Sequence, residues 1–552
     1  MTDPLQPPQP DRPQPTESTS ISGGVSVDAQ RDVTIGGDVV GRDKIEQISG
    51  DKVEGDKIVA GDDVAITTQT GGQIVAQDDV VVQHQVVIDQ RRQISRTVIQ
   101  IGQFNLPLLP LIIIGGVALT ALALIAFGVV RLNQSIAATP TPSRMSATTF
   151  NVAIVEFGAV DANGAARATD QSRALSQSVY DTLLAQRDAF PDPIIKSSIA
   201  IRYGGAPLTS ETEAAKLVDQ IGADMVIYGN LTTEGVFTPQ FYISPDVRAQ
   251  IDAALTGQQQ VGTLTFTSGA TFGASTDLRT RASFFFFIAT GLTYDVFGRT
   301  SRSLEIYRQA EQQLIDWPER GAGKEVLYFF KGQAALFQAQ QSTGQTSTDL
   351  LTEAETAFQQ AIASNPNYAR AHVGLGSLNL IRLQRLSDLA TAIDLPETAA
   401  MFDQYQQAAT LARQSADRLV EAIATFGLGS ANYMLGGARQ FRNEIDLANA
   451  AYDKAARLID ASRSILTDFK QTRFLAQTDL ALGAVFDQQA QLRAAQNDTA
   501  GSRQLYQRAQ QAYQQCVDRG QNSADRILLD LIIGQRCQPN LDKVKRLLTG
   551  DS

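Results

Sequence analysis

The residues able to do chemistry are few and scattered. Gly321-Ala322-Gly323-Lys324 carries the end of a phosphate-cradling loop, but Pro318 stands where that loop needs its first glycine and Glu325 replaces the metal-binding Ser or Thr, so no nucleotide site is expected. Glu156, Asp181 and Asp224 could supply the acid and base of a hydrolase, yet no nucleophile, base and oxyanion donor accompany them at readable spacing. Two histidines, His84 and His372, and two cysteines, Cys516 and Cys537, cannot assemble a histidine-ligated metal site or a four-cysteine zinc module within one chain. His84, in VVVQHQVVI, reads as a strand-face residue and His372 as a helix-packing one. Read as a helical hairpin, the cysteine region places Cys537 about 12 residues further from the turn than Cys516, about 18 Å along the axis, which predicts two free thiols. The sequence therefore predicts no catalytic residue, no cofactor and no metal.

Charge narrows the partners. Across 552 residues, 58 acids face 47 bases for a net charge of -11. Residues 1–104 hold 9 bases and 16 acids, 147–280 hold 8 and 14, and 281–552 hold 28 and 28; Arg131 and Arg144 complete the sum. Phosphate backbones demand a concentrated basic surface, so nucleic acid is not expected as a partner. A neutral, evenly mixed C-terminal half suits contact with protein.

Hydropathy picks out one interval. Leu108 to Val130 contains no charge and 14 Leu, Ile, Val or Phe among its 23 residues. As a helix it would extend about 35 Å, enough for a hydrocarbon core of about 30 Å. The segment 106–131 is thus expected to be one transmembrane helix, making the lipid bilayer a partner. Arg91, Arg92 and Arg96 before it outnumber Arg131 and Arg144 after it, which predicts a cytoplasmic N-terminus and extracytoplasmic C-terminal domains in a single-pass cell membrane protein. Gly116 and Thr120 form a small-xxx-small pair that could support self-association.

Upstream, residues 1–20 hold six prolines and no apolar period and read as a disordered tail. Residues 21–90 alternate short apolar pairs with Gly-Asp turns, as in Gly41 to Ile45, Gly50 to Val53, Gly55 to Ile58 and Gly61 to Ile66. Stacked units of this kind predict a small β-solenoid, a possible site of homo-oligomerisation. The segment resembles the Gly-Asp-rich repeats that accompany sensor and effector modules in multidomain bacterial proteins.

A Pro/Ser/Thr linker at 132–148 leads into 149–280, where apolar strands (Val152 to Phe157, a strand within Pro193 to Ile201, Ala223 to Leu231) alternate with amphipathic helices. That order predicts a sheet covered by helices with parallel neighbours, followed by a hairpin or edge strands at Gln258 to Phe272. The opening VAIVEF and the block around Ala214, Ala215, Ile221, Gly222, Ala223, Asp224 and Gly229 resemble the N-terminal domain of the TolB family. The resemblance implies an interaction or recognition domain. Gly222 reads as a helix C-cap and Gly229 as a strand-end residue.

From 281 to 552 helices dominate, and small residues pair with aromatics at regular offsets. Gly291 and Tyr294 precede Tyr307 and Ala310; Gly332 precedes Ala354, Phe358, Ala361 and Pro366; Leu375 and Gly376 precede Tyr405 and Ala408; Leu428 and Gly429 precede Ala448, Tyr452 and Ala455; Leu482 and Gly483 precede either Tyr506 or Tyr513. This arrangement resembles tetratricopeptide repeats, about five units closed by a capping helix at Ser523 to Gln535. Phe284 to Phe287 reads as the core of the first unit. Each hairpin would expose an apolar face that only its neighbour covers, so stacking and a concave groove follow.

The expected fold class is a multidomain α+β membrane protein: a small β-solenoid-like segment, one transmembrane helix, an α/β TolB-N-like domain and an all-α tetratricopeptide solenoid. The expected function is a membrane-anchored, non-enzymatic scaffold that docks a protein partner in the repeat groove. The alternative is a transmembrane sensor that binds a small ligand outside and signals by self-association of the N-terminal segment.

Overall fold

The computed structural model describes the backbone of seven short strands between residues 19 and 83 and, with side chains, residues 143–549 apart from 162–164, 248–251, 267–275, 314–316, 318–322, 470, 522, 524 and 527. Residues 1–18, His84, the expected span 106–131 and the linker up to residue 142 lie outside the described residues. The chain divides into two units, residues 1–129 and 130–552.

In the first unit β1 (Thr19–Ile21), β2 (Val25–Val27) and β3 (Val33–Ile35) form an antiparallel meander. A second sheet has the order β5 (Val64–Thr68), β4 (Asp56–Ala60), β6 (Gln73–Gln77), β7 (Asp79–Gln83). Four of the five strand pairings are antiparallel. This corrects the expected solenoid, which would stack its strands in parallel at one repeat. Thr19 and Ser20, expected in the tail, belong to β1.

The second unit opens with β8 (Phe150–Ile154), β9 (Gly158–Val160) and β10 (Ala166–Arg167), then α1 (Asp170–Ala189), α2 (Pro193–Ser198), β11 (Ile199–Tyr203), α3 (Glu211–Ile221), β12 (Met225–Leu231) and β13 (Val236–Ile243). β8 runs parallel to β11 on one side and to β12 on the other. β13 then turns antiparallel to β12, and the edge strands β14 (Gly257–Gln260) and β15 (Leu264–Thr265) both pair with β13. Local signals set the helix limits. Thr169 and Ser172 form a capping box at α1; Ser210 caps α3, and Gly222 ends it in the left-handed region at φ 67°.

Strand alternation divides the sheet's two faces. Val152 and Ile154 point to one core, Ala153 and Val155 to the other. Ala214, Val218 and Ile221 of α3 cover the second face. The first face is covered by α1 and by α4 (Thr276–Val296), which carries Phe284 to Phe287. Phe284 and Phe285 meet Phe241 of β13 at ring distances of 6.2 and 5.9 Å, and Phe286 meets Phe190 at 5.6 Å. Burying each such ring stabilises by about 1.5–3 kcal/mol, so α4 belongs as much to the sheet as to the helices after it. One hydrophobic core accordingly runs from Phe150 to Leu475 across the expected boundary at 280 and 281.

Beyond α4 the chain continues as antiparallel hairpins: α4 with α5 (Thr300–Gln313), α6 (Lys324–Gln341) with α7 (Gly344–Ser364), α8 (Ala369–Gln384) with α9 (Pro396–Gln414), α10 (Arg418–Phe441) with α11 (Ile445–Leu466), and α12 (Thr472–Ala495) with α13 (Thr499–Asp518). The same turn recurs. After α4, α9, α10 and α12, one residue adopts positive φ: Gly298, Ala416, Asn443 and Asn497. The next amide then bonds back to the helix, from Arg299 to Tyr294, Asp417 to Ala412, Glu444 to Arg439 and Asp498 to Arg493, at 2.8–2.9 Å, which satisfies a carbonyl orphaned by the helix end.

The C-terminal end departs from expectation. A π-helical segment, Leu528–Cys537, leads into α14 (Gln538–Thr549), and Cys516 is disulfide-bonded to Cys537 with Cα atoms 6.1 Å apart. The expected separation of about 18 Å assumed an α-helix leaving the turn directly. The chain instead leaves α13 at Asp518 and enters a π-helical, not α-helical, segment at Leu528, so the α-helical rise used in that estimate does not apply. Leu528 and Ile532 pack with both cysteines and Ala476 of α12.

The expected class of multidomain α+β membrane protein is thereby corrected. The described chain is mostly helical with a small α/β region, compatible with a helical-repeat solenoid. No helix among the described residues is long and apolar enough to cross a membrane. The apolar core of α4 is flanked by Asp277, Arg279, Arg281 and Asp295, and its phenylalanines are spent on the sheet.

Candidate functional site

The first helices of successive hairpins line one cavity of about 540 Å³. Phe330, Gln333, Phe337 and Gln340 come from α6, Val373, Ser377, Ile381 and Gln384 from α8, Ile423, Phe426 and Ser430 from α10, and Phe474 and Gln477 from α12. Helical spacing of three, four and seven residues puts these side chains on one face of each helix. The wall is thus apolar, striped with amides and hydroxyls. Asp295 closes it at the first hairpin; Leu531, Gln535 and Arg536 of the π-helical segment close it at the last.

A loop of the sheet region forms part of the rim. Asp252, Ala253, Leu255 and Thr256 border the cavity, and Arg370 at the start of α8 holds them there. Arg370 is 3% exposed. Its guanidinium donates to the carbonyl oxygens of Ala254, of Thr256 at 2.9 Å and of Gln258 at 3.2 Å, and lies 3.4 Å from Asp417. Tyr368 donates to Gln259 Oε1 at 2.8 Å and Gln471 to Thr256 Oγ1 at 3.2 Å. Glu211 accepts from the Gln258 amide at 3.2 Å, and burial pushes its carboxyl up. The rim is fixed to α3, α8 and α12 together.

Two acids face the cavity. Asp295 accepts from Ser303 Oγ at 3.0 Å, and desolvation raises its pKa to about 8. Asp252 accepts from the Ala254 amide at 2.8 Å. At the other end Arg473 pairs with Asp525.

The residues singled out by spacing lie mostly behind this surface, where hairpins touch. A Cβ on Gly332 would stand 2.5 Å from Phe358, one on Gly376 2.8 Å from Tyr405, and Gly291 backs Tyr307 in the same way. Of the two tyrosines after Gly483, Tyr513 is the one packed on it. Tyr452 sits on Gly436, whereas Gly429 meets Ile459. Ala310, Ala354, Ala361, Ala408, Ala448 and Ala455 are fully buried, Leu375 and Leu482 nearly so, Leu428 half-buried, and Pro366 exposed in the turn before α8. Tyr294 does more than pack: its hydroxyl donates to Asp192 Oδ2 at 2.6 Å, joining α4 to the N-cap of α2.

In the sheet region Ala214, Ile221 and Ala223 are buried and Ala215 half-buried. Asp224 accepts from the Asn151 amide at 2.8 Å, and Asn151 Nδ2 donates to the Gly222 carbonyl at 2.9 Å, tying the start of β8 to that of β12. Gly229 lies inside β12, not at its end, where a Cβ would stand 2.6 Å from Phe237.

The acids considered for hydrolysis do not converge. Asp224 serves the start of β8, Glu156 follows the end of β8 and lies 3.4 Å from Arg173, and Asp181 is exposed on α1. Gly323 packs on the backbone of Val261 and Gly262, and Lys324 is buried over Tyr328. His372 is buried with Nδ1 2.7 Å from Gln404 Oε1. No group of metal-ligating side chains occurs among the described residues.

Sequence reasoning missed the rim. Arg370 and the 252–259 loop are over a hundred positions apart, and nothing local marks them. The clue available was a lone arginine in the otherwise apolar YARAHVGLG run. No protein-family model matches this chain, and no curated protein matches it.

Proposed function

We propose that this protein is a non-enzymatic scaffold or adaptor whose groove seats an extended stretch of a protein partner, and that its hairpins are of the tetratricopeptide kind beside a TolB-N-like sheet. The observation that carries this reading is the continuous wall built from α6, α8, α10 and α12. Four helices present matching faces to one space, and amides from Gln333, Gln340, Gln384 and Gln477 interrupt Leu, Ile and Phe at its surface. An extended peptide needs that combination, because its backbone carbonyls and amides require partners while its side chains require apolar pockets. The rim loop 252–256 narrows the groove and gives the sheet region a share in recognition.

The test is panning of a random twelve-residue peptide library on the full chain beside the Phe337→Glu variant, which sets a charge on the apolar wall. Enrichment on the unaltered chain that is lost on the variant supports the groove. Equal enrichment, or none on either, overturns it.

A further inference from the structure

The acid at the first-hairpin end of the groove has no cation paired to it. Asp295 stands in the last turn of α4, borders the cavity and accepts one hydrogen bond, from Ser303. No Lys or Arg pairs with it among the described residues, although most buried or half-buried acids of the array have such a partner: Asp479 is held by Arg463 and Arg519, Asp487 by Lys543 and Glu353 by Arg308. An isolated carboxylate removed from water is costly, and such groups are normally paired.

A second observation lies on the same wall. Gln333 is 4% exposed, borders the cavity, and its Nε2 has no hydrogen-bond partner. Buried amide donors are almost always satisfied. This one, in a residue that borders the cavity, has no acceptor among the described residues.

We infer that the first-hairpin end of the groove is a subsite for a basic side chain, lysine or arginine, of an extended peptide: Asp295 pairs with the cation and Gln333 donates to a main-chain carbonyl of the same peptide. The inference rests on the groove reading above and adds the class of residue recognised. Charge complementarity carries it, since Asp295 borders the cavity at this end with no Lys or Arg paired to it among the described residues.

The same library, panned on the full chain and on Asp295→Asn, decides it. The expected result is a basic residue fixed at one position of the enriched peptides, absent from those selected on Asp295→Asn. An enriched lysine peptide should bind the variant at least about tenfold more weakly, and its acetyl-lysine form should lose the same factor on the unaltered chain. Because the cation needs an ionised partner, affinity should rise from pH 6 to pH 8.5 and stay flat in Asp295→Asn, a readout that a merely structural role would not move. Cooperative thermal melts of both proteins exclude misfolding. Enrichment without a basic position keeps the groove and overturns the subsite; enrichment equal to that on Phe337→Glu overturns both.

Discussion

Arg370 and Thr256 are joined by a hydrogen bond of 2.9 Å from guanidinium to carbonyl oxygen, across 114 positions of sequence. Through it the first helix of the third hairpin grips the loop that leaves the sheet. Replacing Arg370 with Met keeps the stem but leaves the carbonyls of Ala254, Thr256 and Gln258 without this donor. Unsatisfied buried acceptors cost about 1–3 kcal/mol each, so a loss of about 3–5 kcal/mol is expected in urea unfolding. Hydrogen exchange of 252–260 should accelerate with it, while exchange in α13 and α14 should not.

The turn after α9 carries a different prediction. Ala416 has φ 58°, a conformation in which an alanine Cβ crowds the backbone and which glycine or asparagine fills at the equivalent positions 298, 443 and 497. Ala416→Gly should therefore stabilise the chain by about 0.5–1 kcal/mol, relief of strain exceeding the entropy that glycine adds to the unfolded state. A rise in melting temperature checks it; a fall would show that the left-handed residue is not strained there.

These turns also mark what sequence could and could not disclose. Hairpins were readable because their contacts are short-range: a glycine and a ring about 15–30 positions apart are brought together by one helix turn helix, as Gly332 and Phe358 are. The fourth hairpin shows the limit, since Gly429 and Gly436 lie two turns apart on one helical face and only packing decides that Tyr452 takes the second. Phe284 to Phe287 could be recognised as core but not assigned, because four rings in a row on a helix point every way, and here the sheet claims some of them. The cavity wall was implied by stacking, yet its rim and its acids were not: Asp295 and Asp252 look like ordinary helix-end and loop carboxylates until the loop is folded over α8. The N-terminal pattern of apolar pairs and Gly-Asp links predicted strands but left their direction to the register, which proved mainly antiparallel.

The disulfide between Cys516 and Cys537 encloses the π-helical segment, whose Leu531, Ile532, Gln535 and Arg536 wall the groove. Closing a loop of this size stabilises by about 3 kcal/mol in the chain-entropy account. Cys516→Ser with Cys537→Ser, or reduction of the unaltered chain, should lower stability by about that amount and speed hydrogen exchange across 528–549. Groove peptides should release faster from the reduced protein. If exchange rises while peptide release is unchanged, the segment is a cap without a share in binding.

The pH dependence of stability follows from carboxyls shifted in opposite directions. Desolvation holds Asp295 at about 8, and burial raises Glu211. For such acids the folded state keeps the proton more tightly than the unfolded one, so their contribution is complete below about pH 4 and is lost as pH rises through the folded value. Glu353 behaves in the reverse sense: Arg308 donates to it and holds its carboxyl below the usual range, so its contribution is present above about pH 4.5 and is lost on acidification. Stability should therefore peak near about pH 5 and decline towards pH 8. The slope from Asp295 alone cannot exceed about 1.4 kcal/mol per pH unit, and partial exposure to the cavity lowers it. Urea midpoints measured from pH 4 to pH 9 should trace this decline, and Asp295→Asn should flatten its upper part. A lysine-bearing peptide in the groove should flatten it too, because a bound cation lowers the carboxyl's pKa and removes the reason for the decline.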